Sequence, residues 1–312
     1  MNTVIYHSAD FDGLFCLAIA RKFLPDTTFI GWNFGDPPLD IPTGTIYVLD
    51  LPVDRVFGFK YTPENRNQNP PLQPGGLIWI DHHKSSIETH PVTIPGYRID
   101  GVAACRLAWQ WFANEGRFDM DAPTLEHYVD RRVTEPRAVR LAGEYDVWDK
   151  RDPDAELFQH GLRSVDLDSP VYPVPGTSTW WDELLRVPSQ AERSIVGGTV
   201  VDALLERGKS LQYARTAENA SIIKELGFTF QWEGLTWLAC NHARYNSLLF
   251  TAGLRPDHDA CFGFKWTVNA WSISLYHAPG REHHDLSSIA KKYGGGGHRG
   301  ACGFLTSTLP FL

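Results

Sequence analysis

Short apolar segments near the start of the chain end in side chains that can bind a metal ion. The clearest is Leu77–Ile80, which follows a Gly-Gly break and runs directly into Asp81, His82 and His83. Four apolar residues, two of them β-branched, predict a short buried strand. A carboxylate and two imidazoles in a row pack poorly into a hydrophobic core but coordinate cations well. This segment therefore constrains both the fold and the chemistry.

The same pattern occurs at the beginning of the chain. Thr3–Tyr6 is rich in β-branched and aromatic residues and predicts a first strand, and Leu14–Leu24 has the apolar spacing of a helix. The loop between them contains His7, Asp10 and Asp12. Side chains that can bind a metal ion therefore follow this predicted strand as well.

Two further segments complete a predicted sheet. Thr28–Trp32 follows the first helix, and Thr45–Leu49 is followed directly by Asp50. Strands that alternate with helices and loops predict an α/β fold with a doubly wound, mainly parallel sheet. Because ligands bind beyond the carboxyl ends of the strands in such sheets, we expect the acids and imidazoles to meet at one edge.

A further carboxylate could reach this edge from a later helix. The helix predicted over Pro136–Tyr145 runs into an acidic segment with Asp146 and Asp149, either of which could instead be a solvated charge. Four carboxylates on one edge would raise one another's pKa unless a counter-charge is present. Two divalent cations would supply that charge and form the usual apparatus of phosphoester hydrolysis. Oxygen and nitrogen ligands without sulfur favour Mn²⁺ or Mg²⁺, and leave other divalent ions such as zinc and iron open.

The second half of the chain carries a separate α/β pattern. A long helix predicted over 198–226 precedes four strands between 228 and 276, a short helix, and the run Gly294–Gly297. Consecutive glycines let backbone N–H groups approach an anion closely, and His298 and Arg299 then add side-chain donors. A flexible linker is the alternative, but such linkers are usually longer and are not followed by an apolar strand.

The composition of the chain argues against several classes of protein. A net charge of −8 argues against a broad basic nucleic-acid surface, although a local basic pocket stays open. The five cysteines are scattered without a C-x-x-C pair, so neither a disulfide framework nor a thiolate zinc site is indicated. The first residues lack a signal-peptide pattern, and no apolar run reaches the ~18 residues that span a bilayer. We therefore expect a cytoplasmic protein without membrane contact.

The order of these motifs resembles the DHH phosphoesterase superfamily, which is named for its Asp-His-His motif. The segment His7–Gly13 has two residues between its histidine and first aspartate, where several members have three. The glycine run with Ala301-Cys302-Gly303 is similar to the signature of the DHH-associated C-terminal domain. The resemblance implies a catalytic domain over 1–196, a connector helix over 197–226 and a smaller α/β substrate-binding domain over 227–312. It also implies an active site in the cleft between the two domains.

The resemblance further implies roles for individual residues. One metal ion would be held by His7, Asp10 and Asp50, and a second by Asp12, Asp50, His82 and Asp146, with Asp50 bridging. The implied catalytic residues are Asp81, which would orient a histidine, and His83, which would face the scissile phosphate. The implied substrate-binding residues are Gly295, Gly296, Gly297, His298, Arg299 and, in place of an Arg-Ser pair that nano-RNase-like members carry near this point, Arg281.

The predicted activity is Mn²⁺-dependent hydrolysis of short substrates, namely oligoribonucleotides, dinucleotides or a nucleoside bisphosphate. The alternatives are a RecJ-like single-strand exonuclease, which usually needs extra nucleic-acid-binding modules, and a pyrophosphatase, whose superfamily members carry a different C-terminal domain. A non-catalytic nucleotide-binding protein is the third alternative. The oligomeric state stays open and includes a homodimer. The pair Trp180-Trp181 is expected to pack a loop, with base stacking as the alternative.

Overall fold

The computed structural model describes residues 2–59, 76–90, 93–114, 123–149, 151–165, 176, 178–187 and 198–311. The chain divides into two compact units, Met1–Lys209 and Ser210–Leu312. The division falls inside the long helix that the sequence analysis treats as a connector. The predicted boundary between residues 196 and 197 lies outside the described residues.

The first unit contains a four-stranded parallel sheet. Its strands in chain order are β1 (Asn2–His7), β2 (Thr27–Trp32), β3 (Ile46–Leu49) and β4 (Leu77–Ile80). Their spatial order is β2-β1-β3-β4, and every neighbouring pair is parallel, as predicted. The chain passes from β1 to β2 on one side and then crosses to β3 on the other. The strand order therefore reverses between β1 and β3, which is where open α/β sheets usually bind ligands.

The helices of this unit are α1 (Phe11–Phe23), α2 (Val53–Phe57), α3 (Lys84–Thr89), α4 (Ala104–Ala113), α5 (Leu125–Val129), α6 (Arg137–Asp146), α7 (Pro153–Arg163) and α8 (Thr179–Leu184). Helix α9 (Val200–Leu226) crosses the division between the units. Helices α2, α3 and α8 were not predicted from the sequence, because their five or six residues are too few to reveal a helical period. Helix α7 was not predicted either. No helix in the described ranges combines the length and apolar character needed to cross a bilayer.

Both faces of the parallel sheet are covered. Because successive strand residues point to opposite faces, Val4 and Ile80 lie in one hydrophobic cluster, which includes residues of α1 and α4. Ile5 and Trp79 lie in a second cluster, which includes residues of α2. The packing expected for the tryptophan pair is confirmed for Trp181, which is fully buried.

The second unit contains a six-stranded mixed sheet. Its strands are β5 (Gly227–Trp232), β6 (Leu235–Asn241), β7 (Ala260–Trp266), β8 (Trp271–His277), β9 (Gly296–His298) and β10 (Ala301–Thr306). They lie in the order β5-β6-β7-β8-β10-β9, with β6 and β7 parallel and the other neighbours antiparallel. Helix α10 (Leu286–Lys292) precedes β9. Part of the predicted glycine loop is thus an edge strand.

Candidate metal centre

Side chains from three strand ends converge where the strand order reverses. His7 is the last residue of β1, Asp50 follows β3, and Asp81 and His82 follow β4. The register of the parallel pairs keeps the ends of β3 and β4 level. Residues that leave these strands therefore lie side by side at one edge. Asp50 adopts a φ of 60°, in the left-handed region that few side chains other than Asn and Asp tolerate.

The beginning of α1 supplies two carboxylates, one from its N-cap and one from its first turn. Asp10 caps α1 by accepting a hydrogen bond from the backbone N–H of Gly13 at 3.0 Å. The buried Asp12 accepts hydrogen bonds from two backbone N–H groups in the first turn of α4, at 2.8 and 2.7 Å. A β-carbon at Gly13 would lie 1.8 Å from the carbonyl oxygen of His7, so only glycine permits this close turn.

The first donor group consists of His7, Asp10 and Asp50, whose candidate ligand atoms lie within 4.8 Å of one another. Nδ1 of His7 is 2.9 Å from Oδ2 of Asp10 and 3.4 Å from Oδ2 of Asp50. The other oxygen of Asp50, Oδ1, is 3.4 Å from Nε2 of His82. Within the described residues, Nδ1 of His7 and Oδ1 of Asp50 are buried without an aligned hydrogen-bond partner. Unsatisfied lone pairs of this kind fit a cation.

The second donor group consists of Asp12, His82 and Asp146. Nε2 of His82 lies 3.6 Å from Oδ2 of Asp12 and 3.5 Å from Oδ2 of Asp146. Asp146 is the last residue of α6, so the end of that helix delivers its carboxylate to the cluster. Asp149, the alternative acid in the sequence, forms an ion pair with Arg151 instead. The two oxygens of the Asp50 carboxylate thus face one donor group each.

Protons balance the charge of this cluster when no cation is bound. The close contact with Asp10 is the main cause that raises the pKa of His7 to about 10. Burial alone would lower the pKa of His82, but the surrounding carboxylates raise it to about 10. Burial and neighbouring charges raise the pKa of Asp12 and of Asp146 to about 7. Because metal ligands must be deprotonated, a bound cation would displace these protons.

Asp81 organises the Asp-His-His segment from a fully buried position. Its Oδ1 accepts hydrogen bonds from the backbone N–H groups of His82 at 2.7 Å and His83 at 3.2 Å. The same oxygen lies 2.6 Å from Nδ1 of His83. Because this oxygen already accepts two backbone N–H groups, a hydrogen bond at this contact requires the proton on Nδ1 of His83. This contact raises the pKa of His83. The imidazole also belongs to a possible donor group with Asp50 and His82.

An aromatic residue that was not predicted from the sequence lies beside the cluster. Phe34 lies in the loop after β2, and the residue is 55% exposed. Its ring centroid is 5.5 Å from that of His7 and 6.2 Å from that of His83. Periodicity could not identify it, because the loop has none. The available signal was a large aromatic side chain between Asn33 and Gly35, in a loop that contains Gly and Pro.

No protein-family model matches the sequence, and no curated protein matches it. The chain is similar in structure to DHH-domain proteins. The DHH domain of a member of a ribosomal-protein family matches with a TM-score of 0.49 and 12% identity, over 98% of this chain and 83% of that chain. The pGpG-specific phosphodiesterase PggH from Vibrio cholerae matches with a TM-score of 0.48 and 13% identity, over 98% and 92%.

RecJ from Thermus thermophilus in complex with Mn²⁺ matches with a TM-score of 0.40 and 16% identity, over 98% of this chain and 49% of that one. At these identities, the similarity concerns the fold and does not establish which substrates this chain binds.

The glycines predicted to bind substrate lie in and beside β9 of the second unit. A β-carbon at Gly295 would lie 2.1 Å from the carbonyl oxygen of Gly303, and one at Gly297 would lie 2.7 Å from Cα of Cys302. Packing against β10 therefore requires both glycines. A β-carbon at Gly296 would meet no atom within 4 Å, so packing places no such demand on this position.

The arginines predicted to bind substrate already contact main-chain carbonyl groups. Arg299 donates hydrogen bonds to the carbonyl oxygens of His283 at 2.6 Å and His284 at 3.4 Å. Arg281 donates a hydrogen bond to the carbonyl oxygen of Pro256 at 2.7 Å. Each guanidinium has five N–H donors, so these bonds leave some of them for a ligand. Substrate binding by these arginines and by the exposed His298 stays a prediction.

Proposed function

We propose that the chain is a metal-dependent phosphodiesterase of the DHH phosphoesterase superfamily that hydrolyses short nucleic-acid substrates or small nucleotides. The observation that carries this proposal is the position of Asp50 between two donor groups, with one carboxylate oxygen 3.4 Å from an imidazole of each. A carboxylate shared between two sets of ligands suits a pair of divalent cations.

The donor types support Mn²⁺ or Mg²⁺ as the bound ions. Every candidate ligand atom in the two groups is a carboxylate oxygen or an imidazole nitrogen. Such sets suit these ions better than copper. The proposed ligands of one ion are His7, Asp10 and Asp50, and those of the other are Asp12, Asp50, His82 and Asp146. When bound, two such ions polarise a phosphoryl oxygen and promote ionisation of a water molecule.

The chain's own residues hold the ligands in place and supply a proton. The first turn of α4 fixes the carboxylate of Asp12 with two hydrogen bonds. Asp81 fixes the ring of His83 and raises its pKa. A larger fraction of His83 is therefore protonated near neutral pH. We propose that Nε2 of His83 donates a hydrogen bond, and then a proton, to the oxygen of the leaving group.

The charge of the protein favours small substrates. Binding along a long nucleic acid requires many contacts between phosphates and basic side chains. The net charge of −8 offers little support for such a surface. A dinucleotide or short oligoribonucleotide requires only the cluster and a few additional donors.

The test is hydrolysis of a dinucleotide by the purified protein with Mn²⁺, with Mg²⁺ and with EDTA. We expect mononucleotide products with the cations and none with EDTA, and we expect His82→Ala to abolish turnover. Absence of turnover with every cation, or equal turnover by His82→Ala, would contradict the proposal.

A substrate panel separates the alternative functions. Processive digestion of long single strands would indicate a RecJ-like exonuclease. Phosphate release from pyrophosphate would indicate a pyrophosphatase. Nucleotide binding without metal binding or turnover would indicate a non-catalytic nucleotide-binding protein.

A further inference from the structure

Phe34 has an exposed aromatic ring that contributes little to the stability of the fold. The residue is 55% exposed, and its ring contacts those of His7, His83 and Trp32 at centroid distances of 5.5, 6.2 and 5.9 Å. The free energy that a Phe side chain contributes to folding scales with the apolar area it buries. More than half of that contribution is not realised here. Stability therefore does not explain a phenylalanine at this position.

The loop holds this ring in a defined place. Oδ1 of Asn33 accepts hydrogen bonds from the hydroxyl of Ser8 at 2.9 Å and from its backbone N–H at 3.2 Å. Oδ2 of Asp36 accepts a hydrogen bond from the backbone N–H of Asn33 at 2.8 Å, and the backbone N–H of Asp36 donates to the carbonyl of Asn33 at 3.0 Å. Phe34 therefore sits in a closed turn that is tied through Ser8 to the β1–α1 loop, which carries Asp10.

The contacts of the ring leave apolar surface available to a ligand. Both imidazoles meet Phe34 in T-shaped arrangements, with interplanar angles of 75° and 76°. One of these imidazoles belongs to a donor group, and the other is the proposed proton donor. A nucleotide whose phosphate lies at the cluster would bring its base to within reach of an aromatic ring at this position.

We infer that Phe34 is a base-stacking residue that binds the nucleoside next to the scissile phosphate. The inference rests on the proposed function and specifies its substrate class as phosphodiesters that carry a base. Because every base has a π-face, stacking on a single phenyl ring is tolerant of sequence. We therefore expect weak preference among the four bases and a clear preference for nucleotides over esters without a base.

The test pairs a dinucleotide with an analogue whose nucleoside next to the scissile phosphate is abasic. For Phe34→Ala we expect the KM for the dinucleotide to rise about 10- to 100-fold, and the KM for the abasic analogue to stay within about twofold of wild type. The kcat should change little on either substrate. Phe34→Trp should restore the KM, and Phe228→Ala, which removes a 41% exposed ring from β5, is the matched control.

Several outcomes would overturn the inference. Unchanged KM values for both substrates would exclude stacking, and an equal loss of kcat on both would assign Phe34 to positioning the imidazoles. Binding gives a readout that does not depend on turnover: wild-type protein should quench the emission of 2-aminopurine 5′-monophosphate, and Phe34→Ala should not. If wild type hydrolyses neither substrate, the proposed function fails. The quenching experiment then decides the stacking on its own, and absent quenching would refute it.

Discussion

The acidic cluster of the first unit and the glycine run of the second differ in their effect on the stability of the fold. In the cluster, folding brings together carboxylates that repel one another and leaves His7 Nδ1 and Asp50 Oδ1 without an aligned hydrogen-bond partner among the described residues. In the glycine run, Gly295 and Gly297 are required for strand packing, and Arg299 bonds to main-chain carbonyls. An arrangement that destabilises the fold is stronger support for a function than one that the fold itself requires.

The largest effect should come from the carboxylate shared by both donor groups. Asp50→Asn keeps the shape of the side chain and tolerates a φ of 60°, but it removes one charge. We expect metal-dependent hydrolysis to fall at least about 1,000-fold. The charge of Asp50 repels the other carboxylates but attracts the imidazoles of His7 and His82, so opposing effects act on the thermal midpoint in EDTA and activity is the deciding measurement. Retained activity would remove the distinction between the two regions.

A matched pair of acids near the end of α6 tests the second donor group. Asp146 faces His82, whereas Asp149 pairs with Arg151. We expect Asp146→Asn to lower activity about 100-fold at limiting Mn²⁺, with partial recovery at high Mn²⁺. Asp149→Asn should leave the Mn²⁺ dependence unchanged. Titration of activity against Mn²⁺ measures both variants, and similar curves for the two would argue against this ligand.

Stability should depend on pH in opposite ways with and without a cation. Folding raises the pKa of Asp12 and Asp146 from 3.8 to about 7, and that of His7 and His82 from 6.5 to about 10. Groups with raised pKa stabilise the native state at low pH, and this stabilisation is lost as the pH rises through the folded pKa.

Between pH 6 and 9 we therefore expect the thermal midpoint in EDTA to fall. Since the cation displaces protons, its stabilising effect should increase over the same range. Differential scanning with EDTA and with Mg²⁺ measures both trends. A cation effect that is independent of pH would contradict this account of the cluster.

Two adjacent glycines provide the smallest and most selective test of the second region. Gly297→Ala introduces a clash at a φ of 127°, so we expect it to destabilise the protein by about 1–3 kcal/mol. Gly296→Ala meets open space and should leave the thermal midpoint unchanged. If the run binds a phosphate through its backbone N–H groups, the methyl group of Gly296→Ala should hinder the approach of the anion and raise the KM about fivefold, as expected when a contact of about 1 kcal/mol is lost. An unchanged KM would limit the run to a structural role.

The parallel sheet and the position of the cluster could be predicted because each signal is local. A strand followed by acids or imidazoles is visible in a few residues, and the edge rule of α/β sheets turns such signals into a spatial expectation. The choice between Asp146 and Asp149 depends on where α6 ends, which sequence reasoning places only within a few residues. The strand Gly296–His298 forms by pairing with β10. Its glycines have no strand preference of their own, so the sequence predicted a loop. Phe34 lies in a turn without any period.

The hydrogen bonds between Asp12 and the first turn of α4 connect the cluster to the interior of the first unit. The amides of Ala104 and Cys105 donate to the carboxylate that is also a proposed ligand. Cation binding would fix that carboxylate in its ionised form and so strengthen both bonds. Hydrogen–deuterium exchange at these two amides should therefore slow as the metal is added. Their exchange rates would then report the occupancy of the metal site without any substrate.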